Sequence, residues 1–339
     1  MNNWDRSTLR PLFHGICTLE EHAEVLGEPV EGGAWIPLRF GKKRLEEYAT
    51  HKNIPYGRCA TGVRLDFYTD AKEISFDFIL TEGHYDGSTQ YPADTFDIYE
   101  NGTLRTSVIA DKTSDLRRVS YIPADAGESR ITVYFPIRHG IAIHHIRLGH
   151  ARPVESYRHK ILFLGDSITQ GLFAERAADG YAYALARDLD ADFMNLAVGG
   201  EEFRPAALDD EIGFTPDYII VCQGTNDVHR KHTPEQLKSD AHQYLGRIRQ
   251  IYGDTPVLVI SPFEPYDPAY NEAIREESAV FGMTMLDGTA LLPHEKENYS
   301  VDLVHPNSVG FGVITRNLLP ILKEILCRLE NKDENYQRV

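Results

Sequence analysis

Four short stretches, far apart in the chain, carry side chains that together could attack a carbonyl group. They are GDSITQG (165–171), NLAVGGE (195–201), GTND (224–227) and DLVH (302–305). Each falls at or near the carboxyl end of a predicted strand. In an open parallel sheet, ligands bind beyond the carboxyl ends of the strands. We therefore expect the four stretches to meet at one edge of such a sheet.

Ser167 is the candidate nucleophile, because it stands where a buried strand gives way to a helix. A serine hydroxyl is a weak nucleophile until a base accepts its proton. His305 is the candidate base, and Asp302, three residues earlier, could hold the imidazole by its other nitrogen. Taken singly, Ser167 and Asp302 are better explained as caps of the helices that follow them.

Three groups could stabilise the oxyanion that such an attack creates. They are the side-chain amide of Asn226 and the backbone N–H groups of Ser167 and Gly200. A glycine permits close approach of the backbone to a ligand. The alternative interpretation is a plain Gly-Gly turn and an Asn-Asp cap, and Gly199 is the alternative to Gly200. The joint occurrence of all four stretches, in this order, favours a catalytic site.

Competing motifs do not fit the sequence. A phosphate-binding P-loop needs Gly-Lys, but Leu172 follows Gly171. The nucleophile elbow G-x-S-x-G fails because Thr169 occupies the second glycine position. There is no HExxH motif, and the histidines at 139, 144 and 145 lie in a strand pattern that favours packing or surface roles. We therefore expect no cofactor and no metal.

Composition restricts the partners. The 339 residues include 35 basic and 51 acidic side chains, a net charge of −16, which disfavours nucleic acid and anionic membranes. No apolar run reaches the roughly 18 residues that span a bilayer, and no signal pattern opens the chain. The four cysteines contain no CxxC pair and suit a reducing cytosol. We expect a cytoplasmic protein, and a homo-oligomer is left open.

The elements that must position the four stretches show two different patterns of apolar residues, one in each half of the chain. Residues from about 60 to 148 alternate apolar and polar side chains, as in GVRLDFYTD, and contain the hairpin signal Asn101-Gly102. A period of two with one buried face predicts antiparallel sheets. We therefore predict an N-terminal β-sandwich domain, jelly-roll-like, over residues 1–155.

After Arg152-Pro153, continuous apolar runs alternate with helical segments. Runs such as YIIVC are typical of strands buried on both faces, and the alternation predicts a parallel sheet between helices. The helices are expected near 180–189, 234–252, 268–281 and 308–329, with Pro320 kinking or dividing the last. The fold class is α/β, with the catalytic domain over residues 156–339.

The four stretches resemble the blocks of the SGNH hydrolase superfamily, also called GDSL esterases, over roughly residues 158–329. The resemblance implies a flavodoxin-like fold in which Ser167 is the nucleophile, His305 the base and Asp302 its orienting acid. It also implies an oxyanion hole formed by the Ser167 and Gly200 amides and the Asn226 side chain. Gly200 is favoured over Gly199 because the family glycine usually follows the asparagine by five positions, as Gly200 follows Asn195.

The amino-terminal half is similar to the sandwich that precedes the hydrolase domain in carbohydrate esterase family two. The pairing implies a serine esterase acting on short acyl esters, chiefly acetyl, of a sugar or oligosaccharide. Several members of that family lack the supporting acid, whereas this chain has Asp302. The alternatives are a thioesterase or lysophospholipase and, outside enzymes, an inactive glycan-binding protein. We expect the sandwich to pack on the hydrolase domain and form one wall of the cleft, and residues 155–339 alone to hydrolyse small aryl esters.

Overall fold

The computed structural model describes residues 4–50, 57–83, 94–110, 116–124, 127–208 and 211–337. Within them the chain forms two antiparallel sheets and then one parallel sheet flanked by helices. This is the α/β architecture with a preceding antiparallel domain that the sequence predicts.

The first antiparallel sheet has the strand order β1-β4-β9-β6-β7, with β11 paired to β4. Its strands are β1 (Phe13–His14), β4 (Arg64–Thr69), β6 (Thr95–Glu100), β7 (Thr103–Ile109), β9 (Ser129–Tyr134) and β11 (Arg152–Pro153). The second has the order β2-β3-β10-β5-β8. Its strands are β2 (Thr18–Val25), β3 (Glu28–Leu38), β5 (Ile74–Gly83), β8 (Arg118–Tyr121) and β10 (His139–Arg147).

The two antiparallel sheets pack face to face around one apolar core. Alternate residues of β4, β5, β6, β9 and β10 point into it, as their period of two requires. At its centre, the ring of Phe96 lies 5.4 Å from that of Phe76 and 5.0 Å from that of Phe135, centroid to centroid. The predicted β-sandwich is confirmed.

One hairpin of this domain was predictable and one was not. Asn101 and Gly102 join β6 to β7 with φ values of 49° and 78°, the left-handed pair that Asn-Gly favours. Leu26 and Gly27 join β2 to β3 with φ values of 55° and 81°. Leucine rarely adopts this conformation, and most of β2 is exposed. The sequence therefore lacks both the turn signal and the alternating apolar pattern there.

The third sheet is entirely parallel, in the order β13-β12-β14-β15-β16. Its strands are β12 (His159–Gly165), β13 (Ala191–Asn195), β14 (Tyr218–Cys222), β15 (Val257–Ile260) and β16 (Thr284–Leu286). Strand β12, the first of this sheet along the chain, lies inside the sheet, with β13 on one side and β14, β15 and β16 following on the other. The predicted flavodoxin-like sheet is confirmed.

Nine α-helices lie within the described residues, beside short 3₁₀ turns at 10–12, 177–179, 205–207 and 296–298. They are α1 (Arg6–Leu9), α2 (Lys42–Thr50), α3 (Ser167–Gln170), α4 (Tyr181–Asp188), α5 (Thr225–His229), α6 (Pro234–Tyr252), α7 (Pro268–Val280), α8 (Gly288–Leu291) and α9 (Ser308–Gln337). The predicted helices correspond to α4, α6, α7 and α9. Helix α6 begins after a Thr233 capping box with Pro234 at its first position, as expected.

The last helix is longer than predicted and is not divided. Of the two expected effects of Pro320, division of the helix is wrong, because α9 continues through Pro320 as one helix. A proline removes one backbone hydrogen bond within a helix. Packing compensates, because Phe311, Ile314, Leu318 and Leu322 all lie in the core that α9 shares with the parallel sheet.

The two halves do not have separate cores. Phe40 and Tyr48 of the amino-terminal half are buried with Leu164 and Met194 on one face of the parallel sheet. Tyr99 and Tyr134 are buried with the helices on its other face. Helix α2, which the sequence analysis does not predict, thus packs on the hydrolase core. We retain the proposed boundary at 155/156 as a division of the chain, since β11 ends the sandwich and β12 begins the parallel sheet.

None of the four cysteines, all of which lie in described segments, forms a disulfide. No helix in the described part of the chain has the length and hydropathy that crossing a bilayer would require.

The shared core changes our expectation for residues 155–339 expressed alone. This fragment would lose Phe40 and Tyr48 and expose the apolar side chains beneath them. We now expect it to be insoluble, or to melt far below the full chain and lack activity on p-nitrophenyl acetate. Size-exclusion chromatography and thermal unfolding measure this. A soluble, monomeric and active fragment would contradict it.

Candidate active site

The first of the four stretches forms a tight turn at the carboxyl end of β12. Asp166 caps α3, with its carboxylate accepting a hydrogen bond from the N–H of Ile168 at 2.9 Å. Ser167 is therefore the first residue of the helix. A Cβ at Gly165 would lie 2.4 Å from the hydroxyl of Thr169 and 2.5 Å from the carbonyl oxygen of Cys222. Only glycine allows the two strands and the helix to approach this closely.

Ser167, His305 and Asp302 form one chain of hydrogen bonds. Nε2 of His305 lies 2.7 Å from Oγ of Ser167, and its Nδ1 lies 2.7 Å from Oδ2 of Asp302. The loop before α9 thus reaches the end of β12 across 138 residues of sequence. Such an arrangement can move a proton from the hydroxyl to the imidazole and stabilise the charge that results.

Asp302 is held in one orientation. Its second oxygen accepts hydrogen bonds from the hydroxyl of Ser300 and from the backbone N–H groups of Val304 and His305. Partial burial acts to raise the pKa of Asp302, but the hydrogen bonds from His305 and Ser300 outweigh it and hold the pKa well below its usual range. The side chain is therefore a carboxylate across the physiological pH range.

A phenylalanine supports the imidazole from one side. The ring of Phe173 stacks on that of His305 at 4.7 Å, with 27° between the planes. Phe173 is buried and has a φ of 72°. A bulky residue in the left-handed region carries backbone strain, which surrounding packing must sustain. The sequence contains no motif that identifies this contact.

The candidate oxyanion donors around Ser167 differ in whether they already have a hydrogen-bond acceptor. Nδ2 of Asn226 donates to the carbonyl oxygen of Glu201 at 2.9 Å and lies 3.4 Å from a carboxylate oxygen of Asp166. The N–H groups of Ser167 and Gly200 donate to no acceptor within the described residues. The N–H of Gly199, in contrast, donates to Oε1 of Gln170 at 2.8 Å. Of the two glycines, Gly200 is therefore the one with a donor to spare.

Gly200 owes its orientation to a turn. The N–H of Glu201 donates to the carbonyl of Val198 at 3.1 Å, which closes a four-residue turn. Gly200 occupies the third position with a φ of 77°, where a glycine is favoured. We call residues 198–201 the Gly200 turn.

Burial raises the pKa of Asp166 to about 6, since the carboxyl group is enclosed and only partly compensated by hydrogen bonds. Glu264, beyond the end of β15, contributes to the same shift. Burial likewise raises the pKa of Asp227, the last residue of GTND, to about 7. Two acidic groups next to Ser167 and Asn226 therefore titrate near neutral pH.

Two clusters in the described residues have atoms placed as metal ligands would be. They are Asp77, His144 and His145 in the sandwich, and Glu202, Asp227 and His232 beside the hydrolase site. In each cluster an arginine occupies a carboxylate, Arg118 on Asp77 and Arg230 on Glu202. His139, which lies in the same strand as His144 and His145, is fully buried and pairs with Asp94 at 3.0 Å.

Comparison with known proteins agrees with this geometry. Residues 163–312 match the GDSL-like lipase/acylhydrolase family. No curated protein sequence matches the chain.

Three solved structures illustrate the likeness over both halves. The salicylyl-acyltransferase SsfX3 of a tetracycline biosynthetic pathway is 19% identical, with a TM-score of 0.71 over 90% of this chain and 92% of that one. A Bacteroides ovatus protein described as a GDSL-like lipase is 20% identical, with a TM-score of 0.67 over 93% and 95%. A family two carbohydrate esterase from Cellvibrio japonicus is 15% identical, with a TM-score of 0.62 over 95% and 97%.

At these identities the solved structures establish the fold, including the sandwich before the hydrolase domain, and the family match concerns the domain that contains Ser167, Asn226 and His305. Residues 163–312 therefore form a hydrolase domain of the GDSL-like lipase/acylhydrolase type, and the chain is an ester-hydrolysing enzyme.

Proposed function

We propose that this enzyme is a serine esterase that removes short acyl groups, chiefly acetyl, from a carbohydrate. The observation that carries the proposal is the hydrogen-bonded chain Ser167–His305–Asp302 at the carboxyl edge of the parallel sheet. It unites, in one place, a hydroxyl, a base in contact with it and a carboxylate that orients the base.

The reaction proceeds in two halves. Oγ of Ser167 attacks the ester carbonyl while its proton passes to Nε2 of His305, and the tetrahedral oxyanion then collapses to the acyl-serine. The leaving alcohol takes the proton from His305. Water next attacks the acyl-serine, with His305 as base again, and the acid leaves as Ser167 regains its proton. Asp302 stays ionised and stabilises the imidazolium in both halves.

The oxyanion hole of this proposal consists of the N–H groups of Ser167 and Gly200 and one N–H of Asn226. The first two have no acceptor within the described residues and are available to an oxyanion. One N–H of Asn226 is engaged by the carbonyl of Glu201, and the other has only the long 3.4 Å contact to Asp166. That second N–H has the weaker partner and is the one available to the oxyanion.

Polar groups beside Asn226 support a hydroxylated alcohol as the leaving group. His229 lies one turn after Asn226 in α5, and its Nε2 is 3.1 Å from the carboxylate of Glu264. The Tyr266 ring packs against that of His229 at 5.9 Å, and its hydroxyl donates to Glu264. Carboxylate, imidazole and tyrosine are groups that can bind sugar hydroxyls and cover a sugar ring. The carbohydrate esterases among the structural relatives, which also carry both halves, support the same substrate class.

A thioesterase or lysophospholipase is the alternative, and it would need an apolar surface for a long acyl chain. Val301 and Leu303, on the loop with Asp302, are exposed by 80% and 42%. They offer an apolar area of two side chains on the loop that carries His305. That area suits a short acyl group better than a long one.

The first prediction concerns the nucleophile. Ser167→Ala should abolish ester hydrolysis and leave the melting temperature near that of the wild type, since one hydroxyl is removed. A serine-directed phosphonate should label the wild type at Ser167 and leave the variant unlabelled. A variant that keeps wild-type turnover would end the proposal.

The substrate class is tested on the same pair of proteins. We expect acetylated sugars and p-nitrophenyl acetate to be cleaved, and kcat/KM to fall steadily from C2 to C12 acyl esters. A maximum at C8–C12 would favour the thioesterase or lysophospholipase alternative. Adding acceptor alcohols to the assay separates hydrolysis from acyl transfer, the activity in the name of SsfX3. A wild type that binds glycans and cleaves no ester would be the inactive glycan-binding protein.

The second prediction concerns the oxyanion hole. Losing one such donor typically costs about 10²–10³ in kcat. Asn226→Ala should therefore lower kcat by roughly this factor and change KM little. Asn317→Ala is the matched control, because it removes an amide that donates to the carbonyl of Leu291 in α8. If Asn226→Ala lowered the melting temperature and kept its kcat, Asn226 would be a structural residue.

The third prediction concerns the pH dependence of stability and the carboxyl groups of Asp166 and Asp302. The pKa of Asp166 is about 6 when folded and about 3.8 otherwise, so the folded state holds the proton more tightly. Ionisation of Asp166 thus costs stability as the pH rises through this window, by about 3 kcal/mol at roughly 1.4 kcal/mol per unit. Asp166→Asn should gain stability relative to the wild type between pH 4 and pH 7.

Asp302→Asn is its control of opposite sign. Because folding lowers the pKa of Asp302, its carboxylate stabilises the fold at pH values above the ordinary pKa of an aspartate. This contribution is lost as the pH falls. The free energy of unfolding of Asp302→Asn should therefore be lower than that of the wild type at pH 7 and should approach the wild-type value at acidic pH. Urea unfolding at four pH values measures both differences. Parallel curves for Asp166→Asn and the wild type would refute the assigned titration.

A further inference from the structure

We propose that the amino-terminal half positions the oxyanion hole through a buried clamp on Glu201, in which Arg44 and Tyr48 of α2 are positioning residues. This inference rests on the proposed function, because it assigns a role to the surroundings of Gly200 and Asn226.

Glu201 contacts both candidate donors that lie outside the Ser167 turn, as Arg230 also does through the carbonyl oxygens of Gly200 and Asn226, each at 2.9 Å. The N–H of Glu201 closes the Gly200 turn on Val198, and its carbonyl oxygen accepts the bond from Asn226. A displacement of Glu201 would therefore move Gly200 and Asn226 together. The side chain of Glu201 is only 5% exposed, so water cannot take the place of its protein partners.

The Glu201 carboxylate is held from both halves of the chain. Nη2 of Arg44 lies 3.2 Å from Oε2, and the hydroxyl of Tyr48 donates to the same oxygen at 3.1 Å. Arg204, in the carboxyl-terminal half, places Nε 2.9 Å from Oε1 and Nη2 3.0 Å from Oε2. Two arginines and a tyrosine thus bond to one buried carboxylate.

Helix α2 is built to hold these donors in place. The Arg44 guanidinium lies over the Tyr48 ring at 3.6 Å, and Glu47 of the same helix bonds to both Arg44 and Arg204. The network balances two carboxylates with two guanidinium groups. Arg44 also donates to the carbonyl of Ala206. Because buried charges need this degree of pairing, each member restricts the positions of the others.

The amino-terminal half also holds the segment on either side of the turn. Nη1 of the buried Arg39 donates to the carbonyls of Asn195 and Ala197, at 3.0 and 2.6 Å. Nε2 of Gln170, whose Oε1 accepts from Gly199, donates to the hydroxyl of Thr61 and the carbonyl of Ile137, at 3.2 and 3.1 Å. The segment from 195 to 201 is thus attached to the amino-terminal half before, within and after the glycine pair.

Positioning of this kind acts on the transition state more than on the bound ester. The donors must lie within hydrogen-bond distance of an oxyanion that forms only during the reaction. Small displacements therefore reduce kcat while KM changes little. The smallest ester should be affected as much as a sugar ester, because the hole acts on the carbonyl that both share.

Tyr48→Phe is the sharpest test, because it removes one hydroxyl and keeps the ring beneath Arg44. We expect kcat for p-nitrophenyl acetate to fall about three- to tenfold with KM within twofold, and about 10- to 100-fold for Arg44→Met. Tyr157→Phe is the matched control, since it removes a tyrosine hydroxyl that donates to the buried carboxylate of Asp66. Tyr157 precedes β12, whereas Ser167 follows that strand. Lys42→Met controls for charge on α2, because Lys42 and its partner Glu46 are exposed.

A second readout separates positioning from loss of folded enzyme. The rate ratio between p-nitrophenyl acetate and its thiono analogue, with sulfur as the carbonyl atom, does not depend on the amount of active protein. A hole fitted to oxygen favours the oxygen ester, so the ratio should fall in Tyr48→Phe and Arg44→Met and stay unchanged in both controls. Amide hydrogen exchange over residues 196–204 should accelerate in the same two variants.

The outcomes distinguish this clamp from the proposed function. If Tyr48→Phe keeps the wild-type kcat, rate ratio and exchange, the clamp is refuted while the esterase proposal stands. If Arg44→Met fails to fold, Tyr48→Phe decides alone. If the wild type cleaves neither ester, the proposed function fails, and wild-type exchange over 196–204 in Tyr48→Phe would then refute the clamp independently.

Discussion

The 2.7 Å contact between Ser167 and His305 is the constraint on which the site depends, because its two residues are 138 positions apart. One end is fixed by β12, a central strand paired on both sides. The other end is an irregular loop, so its order must come from side chains. Asn307 caps α9 by accepting from the N–H of Gly310, and its amide donates to the carbonyls of Tyr299 and Glu297. The loop is thereby tied to the start of a helix whose apolar face lies in the core.

Helix α9 and two glycines, Gly310 and Gly165, show how close packing sets the geometry at the carboxyl edge of the parallel sheet. A Cβ at Gly310 would lie 2.0 Å from the carbonyl oxygen of Asn298, so only glycine lets α9 begin this close to the loop. Gly165 has the same role at the end of β12. Both ends of the Ser167–His305 contact therefore rest on close backbone approaches. Distances of this kind are reproducible only in a rigid, fully packed interior.

The sequence predicts well the parts whose signals are periodic or whose residues recur as a block. Continuous apolar runs identify the five parallel strands, and alternation identifies most of the sandwich. The spacing from Asn195 favours Gly200 over Gly199, and the structure leaves the Gly200 N–H, and not that of Gly199, without an acceptor among the described residues. The catalytic roles themselves remain proposals.

The parts that could not be predicted are those that depend on buried charge. The stretch KKRLEEYAT looks like a solvated helix, yet Arg44 and Tyr48 within it are buried. Glu201 stands in a polar run, EEFR, where nothing local distinguishes it from the exposed surface. Burial of such groups is decided by partners distant in sequence, here Arg44 for Glu201, and no local pattern encodes that pairing. The Phe173 contact with His305 is hidden for the same reason.

The amino-terminal half can therefore act on the reaction in two separable ways. As a wall of the cleft, it would bind the alcohol part of the substrate and affect only esters large enough to reach it. As the support of the Gly200 turn, it would act on the carbonyl and affect every ester alike. The two effects are not distinguished by removing the whole half, because the shared core is lost with it. They are distinguished by the size of the substrate on which a point substitution acts, and this makes the smallest ester the informative one for the turn and the sugar ester the informative one for the wall.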